Sequence, residues 1–193
     1  MILFLFGTWG AGKSFVGNLI EAECGLPHLE ADLHFTFDLV EALRQKVFHE
    51  AELEPFYRRV IVEMDSYKRR FDDFVVSQGI YDDAFRHMIY ERFAPDIRFV
   101  LINTPDKDLQ KERLSFRTGG GNPITVGVFE EMQVHWQQPT IPFTLIQNDE
   151  TLKDTLPQLM REVGMCYHML PEDWEEVIDQ ASTRPNSFGP QDL

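Results

Sequence analysis

Gly7-Thr8-Trp9-Gly10-Ala11-Gly12-Lys13-Ser14 decides the reading of this chain. The stretch has the spacing G-x-x-x-x-G-K-[ST]. It stands between an apolar run, Met1 to Phe6, and a helical pattern from Lys13 to about Glu23. An unbroken apolar run ending in glycine fits a strand buried on both faces of a parallel sheet. After the loop, Phe15, Val16, Leu19 and Ile20 fall on one helical face. Glycines let such a loop curl so that its N–H groups point inward and cradle phosphate oxygens at the positive end of the helix. Lys13 is then expected to reach the β- and γ-phosphates, and the Ser14 hydroxyl to join the shell of a bridging magnesium ion. Gly7, Thr8, Trp9, Gly10, Ala11, Gly12, Lys13 and Ser14 are the expected nucleotide-binding residues, with ATP and Mg2+ as the expected ligands.

Outward from the loop, strand and helix patterns alternate. Short apolar runs at His28 to Ala31, Phe74 to Ser77, Ile97 to Asn103 and Phe143 to Gln147 predict four more strands. Helices are predicted over Phe37 to Glu50, Pro55 to Phe71, Tyr81 to Phe93, Asp106 to Arg117, Val128 to Gln138 and Thr151 to Val163, with a hinge at Glu50 to Glu54. Strands alternating with helices imply right-handed crossovers. The expected fold class is therefore α/β: a three-layer arrangement with a five-stranded parallel sheet, helices on both faces and a small lid. Residues 1–164 form the expected domain, with an acceptor-side helical region at about 35–71 and a lid at about 113–127. Residues 165–193 read as a partly flexible tail, ending in Ser, Pro, Asn, Gly and Gln.

The chain has 193 residues, 43% of them hydrophobic and 26% charged, which suits one soluble domain. Eighteen basic against 32 acidic residues give a net charge of −14, a field that repels a phosphate backbone and disfavours nucleic acid as partner. Met1 to Phe6 lacks a basic leader and is too short for a membrane span. Cys24 and Cys166 have no metal-like or disulfide-framework spacing, so the expected location is the cytoplasm. Monomer and homodimer both remain open.

The acceptor side is expected where the second strand ends, at Glu30-Ala31-Asp32-Leu33-His34, with Glu30 and Asp32 on one strand face. A carboxylate there can take a hydroxyl proton or hold a magnesium-bound water; Asp32 can equally cap the following helix. The third strand runs into Gln78-Gly79 rather than an acidic residue. Asp32 is therefore the candidate for the magnesium shell, and Gly79 a point where backbone approaches the γ-phosphate. Arg113 and Arg117 lie four apart, ahead of Gly119-Gly120-Gly121, and suit a mobile, phosphate-pairing segment or a solvated helix face.

On these residues the chain resembles the gluconate kinase and shikimate kinase group of small phosphate-loop kinases, loosely from Met1 to about Val163. Asp32-Leu33-His34 matches the second half of the Asp-Gly-Asp-x-Leu-His stretch of gluconate kinases, with Glu30 in place of the first acid. The resemblance implies that Asp32 orients or deprotonates an acceptor hydroxyl, that Arg113 and Arg117 belong to a lid that meets ATP, and that Asn148 lies beside the adenine. His34 and Arg44 are expected substrate contacts alongside Asp32 and Gly79. The implied activity is transfer of a phosphoryl group from MgATP to a small-molecule acceptor such as a sugar acid.

Two marks of the group are missing. Glu52-Leu53-Glu54-Pro55-Phe56-Tyr57-Arg58-Arg59 stands in the region where gluconate kinases carry Pro-Leu-x-Asp-x-Asp-Arg, and Ser77-Gln78-Gly79 where shikimate kinases carry three glycines. Nucleoside or polynucleotide 5′-hydroxyl kinases and a non-catalytic ATP sensor are the competing readings. A GTPase would need Asn-Lys-x-Asp, and Asn103-Thr104-Pro105-Asp106 lacks the lysine; Asp106 reads as a helix start.

Overall fold

The computed structural model describes residues 1–35, 37–45, 50–116 and 124–148, without the side chains at 44 and 50–52. The expected helix at Thr151 to Val163, the middle of the lid at 117–123, Arg117 included, and the tail lie outside the described residues.

The apolar run Ile2–Phe6 forms β1, buried throughout, and pairs in parallel with β3 (Phe74–Gln78) on one side and β4 (Ile97–Asn103) on the other. β2 (His28–Glu30) adds beside β3 and β5 (Phe143–Gln147) beside β4, giving the parallel order β2-β3-β1-β4-β5. Alternate residues of β1 serve opposite faces, as the two-residue period of a strand requires. Leu3 and Leu5 join Val16, Leu19 and Ile20 of α1 (Lys13–Cys24) in one core. Ile2, Phe4 and Phe6 join a larger core on the other face. That core is completed by α2 (Phe37–Gln45), α3 (Glu50–Lys68), α4 (Asp83–Phe93), α5 (Lys107–Phe116) and α6 (Val126–Met132). The expected three-layer fold is observed, and no described helix is long and apolar enough to cross a membrane.

Several local expectations are corrected. The chain leaves the strand at Glu30 and turns through a 3-10 segment, Ala31–His34, so Glu30 and Asp32 do not share a strand face. The stretch expected to be a hinge, 50–54, is the first part of α3. Pro55 sits inside that helix at the cost of one backbone hydrogen bond, offset by burial of Phe56, Tyr57, Val60 and Met64. α4 starts later than expected because Asp82 caps it, accepting from the Ala84 N–H at 2.7 Å. α6 starts and ends earlier, capped by Thr125, and a 3-10 turn (Gln133–His135) leads to an extended Trp136. Asp106 does start a helix, its Oδ1 accepting from the N–H groups of Asp108 and Leu109.

Arg86 of α4 is fully buried. It donates to the carbonyls of Ile80, Tyr81 and Gln137 at 3.1, 2.9 and 2.8 Å and to Asp83 Oδ1 at 2.8 Å. Its guanidinium also lies 4.7 Å from the Trp136 ring centre. One side chain thereby fastens the turn after β3 to the segment before β5, an arrangement worth its desolvation only while every partner is present. Arg86→Met is expected to lower stability by about 3 kcal/mol or more, read from the urea midpoint, because three carbonyls and a carboxylate lose their donor.

His28 joins β2 to its neighbours. Asn18 Oδ1 can only accept, so Nδ1 of His28 donates to it at 2.9 Å, and Nε2 of the neutral ring accepts from Ser77 Oγ at 2.9 Å. Burial lowers its pKa from 6.5 to about 4. The stabilisation from neutral His28 is complete above about pH 6.5 and is lost as pH falls toward 4, where the unfolded chain binds the proton first. Between neutral pH and the low end of that window the protein should lose about 1–2 kcal/mol more than a His28→Gln variant, measured by paired urea titrations.

Candidate active site

The quoted loop closes the central strand and opens α1. Gly12 caps α1 with φ 89°, and a Cβ at that position would run into the Asn148 amide. The loop therefore needs glycine there both for its dihedral and for the closeness of its support. Lys13 and Ser14 are buried in the first turn of α1. The Lys13 ammonium folds back onto the loop and donates to the Thr8 carbonyl at 2.9 Å.

The loop is braced from behind by the residues that follow β4 and β5 and by α5. Asn148 Nδ2 donates to the Ala11 carbonyl at 2.7 Å, and the Thr104 hydroxyl lies 3.3 Å from the same oxygen and 2.8 Å from the Asn148 carbonyl. Gln110 donates to the Thr104 carbonyl at 2.7 Å and to Thr8 Oγ1 at 3.2 Å. Arg113 stands beside Gly12, its Nη1 within 3.2 Å of Thr104 Oγ1 and the Asn148 carbonyl. Asn148, expected beside the adenine, thus has its amide directed to the underside of the loop. Thr104 and Gln110 were not expected at the site. In the sequence Thr104 stands only within an incomplete guanine pattern.

Asp32, expected on the acceptor side, is 7% exposed at the start of its 3-10 turn. Its charge acts on two buried phenols. Burial first and the Asp32 charge second push the Tyr57 hydroxyl well above its ordinary pKa. At Tyr81 burial raises the value, the hydrogen bond from the Trp9 N–H opposes it, and Asp32 adds to the rise. Tyr81 Oη accepts from the Trp9 backbone N–H at 3.0 Å, and the Tyr57 hydroxyl donates to the Gly79 carbonyl at 3.2 Å. Gly79 is compact for a reason: a Cβ there would come within 2.7 Å of Trp9 Nε1. Gly79 thus seats the Trp9 indole.

His34 is half-buried, and burial lowers its pKa, with Glu63 raising and Arg59 lowering it. It sits toward α3 and is not part of the cavity that adjoins Trp9. That cavity, about 330 Å³, is bounded by the phosphate loop, α2, α3, the turn after β3 and the segment around Trp136. Arg44 belongs to α2, but its side chain is not described. Among the described residues no cluster of His, Cys, Asp and Glu could hold a metal ion by itself, so any cation here would need phosphate oxygens as further ligands.

No protein-family model and no curated protein sequence matches the chain. Solved structures do. A Janibacter sugar kinase superposes with a TM-score of 0.63 at 17% identity, covering 94% of this chain and 92% of its own. A gluconokinase from Sinorhizobium meliloti gives 0.62 at 18%, covering 83% and 94%. The Mycobacterium tuberculosis APS kinase, in complex with AMPPNP and APS, gives 0.57 at 19%, covering 84% and 96%. With its parallel sheet and braced glycine loop, the chain has the fold of the phosphate-loop small-molecule kinases.

Proposed function

We propose that the chain transfers the γ-phosphoryl group of MgATP to a hydroxyl of a small molecule. The observation that carries the reading is a phosphate loop flanked by one buried carboxylate, Asp32, and an aromatic-lined cavity. The APS kinase of the same fold, bound to an ATP analogue, supports ATP as the donor.

The residues present fit a magnesium ion. Ser14 opens α1 with a hydroxyl and Asp32 brings a carboxylate from the next strand end, the oxygen donors that a hard cation takes together with phosphate oxygens. When bound, the ion would neutralise charge on the β- and γ-phosphates. The loop N–H groups would position the phosphates, and Lys13 would exchange the Thr8 carbonyl for phosphate oxygens. The acceptor oxygen forms its bond to the γ-phosphorus as the bridging P–O bond to the β-phosphate breaks. The electron pair leaves on ADP, and Asp32 takes the hydroxyl proton. Arg113, beside Gly12, is suited to pair with the phosphates, and Arg117 is assigned the same role on sequence grounds.

A nucleoside acceptor is the second reading, favoured by the aromatic lining of the cavity. The net charge of −14 speaks against a polynucleotide.

MgATP consumption against a panel of polyols, sugar acids, shikimate and nucleosides tests the proposal. Lys13→Ala is expected to cut stimulated turnover about a hundredfold or more. Asp32→Asn should lower kcat about a hundredfold while ATP affinity, read by calorimetry, changes about twofold or less. Unimpaired turnover in the Asp32 variant would remove its role as base, and ATP binding without stimulated turnover would favour a sensor.

A further inference from the structure

The cavity beside the phosphate loop is an aromatic chamber. Two runs of rings line it: Trp9, Tyr81 and Trp136, with successive centroids 5.1 and 5.7 Å apart, and Phe35, Phe56 and Tyr57, at 5.0 and 5.1 Å. Leu39 and Leu43 of α2 complete the apolar wall. At about 330 Å³ it falls within the size range of small-molecule sites.

Its lining carries one carboxylate, Asp82, and one imidazole, His135. Among the described side chains no lysine or arginine lines it, while Asp82 does, and the Asp32 charge reaches the Tyr57 and Tyr81 rings. The nearby Arg86 is fully buried, with its guanidinium bonded to three carbonyls and Asp83. An anionic acceptor entering here would give up its hydration for a site that offers carboxylates and aromatic faces.

Two polar atoms of residues in the wall have no hydrogen-bond partner within the chain. Gln78 is 1% exposed; its Nε2 donates to the Gly79 carbonyl at 3.1 Å, but its Oε1 is buried without a hydrogen-bond partner. Trp9 Nε1 is likewise buried without an acceptor. Unpaired buried groups of this kind are costly, and a ligand that supplies a donor to Gln78 repays that cost.

We infer that the acceptor is a neutral alcohol carrying a planar ring, of nucleoside size, with an N–H or O–H directed to Gln78, and that it is not a sugar acid. The inference rests on the kinase reading and narrows it. The rings supply stacking and edge contacts, Gln78 sets orientation, and Asp32 meets the reacting hydroxyl.

The experiment uses the full chain with saturating AMPPNP. Thymidine, uridine and phenyl β-D-glucoside are titrated calorimetrically against D-gluconate and shikimate, and the same compounds are tested for stimulation of MgATP consumption. At least one ring alcohol should bind and raise turnover tenfold or more, and the two acids should do neither. For that alcohol, Gln78→Leu should raise KM about tenfold with kcat within about twofold, a split that a merely structural role would not give. Stimulation by an acid alone, no binding of any ring alcohol, or an unchanged KM in the Gln78 variant would each overturn the inference while leaving the kinase reading standing. Failure of the chain to bind AMPPNP would remove the kinase reading itself, and the inference with it.

Discussion

The carbonyl of Ala11 is held by the amide of Asn148, with the Thr104 hydroxyl alongside, and the geometry of the site descends from that grip. A loop whose N–H groups all turn inward leaves its carbonyls facing outward, where they need partners of their own. β4 and β5 deliver those partners because β4 lies next to β1 and β5 next to β4, and both run on past the end of β1 to the level of the loop. α5 adds Gln110 and Arg113 to the same network. The sheet order is thus a condition for the loop's shape. A strand pairing shifted by one residue would turn Asn148 and Thr104 away from the loop.

The opposite side of the loop is supported by packing rather than by polar contacts. Trp9 leans on Tyr81 and fills the space left by Gly79, and Arg86 ties Tyr81 to Trp136 through carbonyl bonds and a ring contact. A buried cation among aromatic rings is tolerated because its donors meet carbonyls and Asp83, and the rings present their negative faces. The site therefore has a polar back and an aromatic front, two environments that would receive phosphates and acceptor separately.

Sheet composition and loop position were legible because they depend on local signals. Met1 to Phe6 carries the buried-strand pattern in itself, and the glycine spacing needs no distant partner to be read. Asp32 was found as a residue, but its turn was not: Glu30-Ala31-Asp32 alternates like a strand, and only packing against β3 and α3 shows where the chain bends. Arg86 escaped notice because a helical arginine usually signals a solvated face, and the carbonyls that bury it come from residues 80, 81 and 137. The aromatic chamber was invisible for the same reason. Trp9, Phe56, Tyr81 and Trp136 are far apart in sequence, and each alone reads as core. Pro55 misled more simply: helix signals favour it at a start, yet the packing of Phe56 and Tyr57 carries α3 across it.

Trp9 belongs to both environments at once, its backbone in the phosphate loop and its indole in the wall of the chamber. Such a residue is a thermodynamic link. An adjustment of the loop on phosphate binding would reach the indole, and a ligand pressing the indole would act back on the loop. Linkage then requires the two effects to be equal: whatever factor the nucleotide imposes on acceptor affinity, the acceptor imposes on nucleotide affinity. Placing a large ring at a loop position where the motif accepts any residue would therefore make the strength of coupling between the two ligands a property of one side chain.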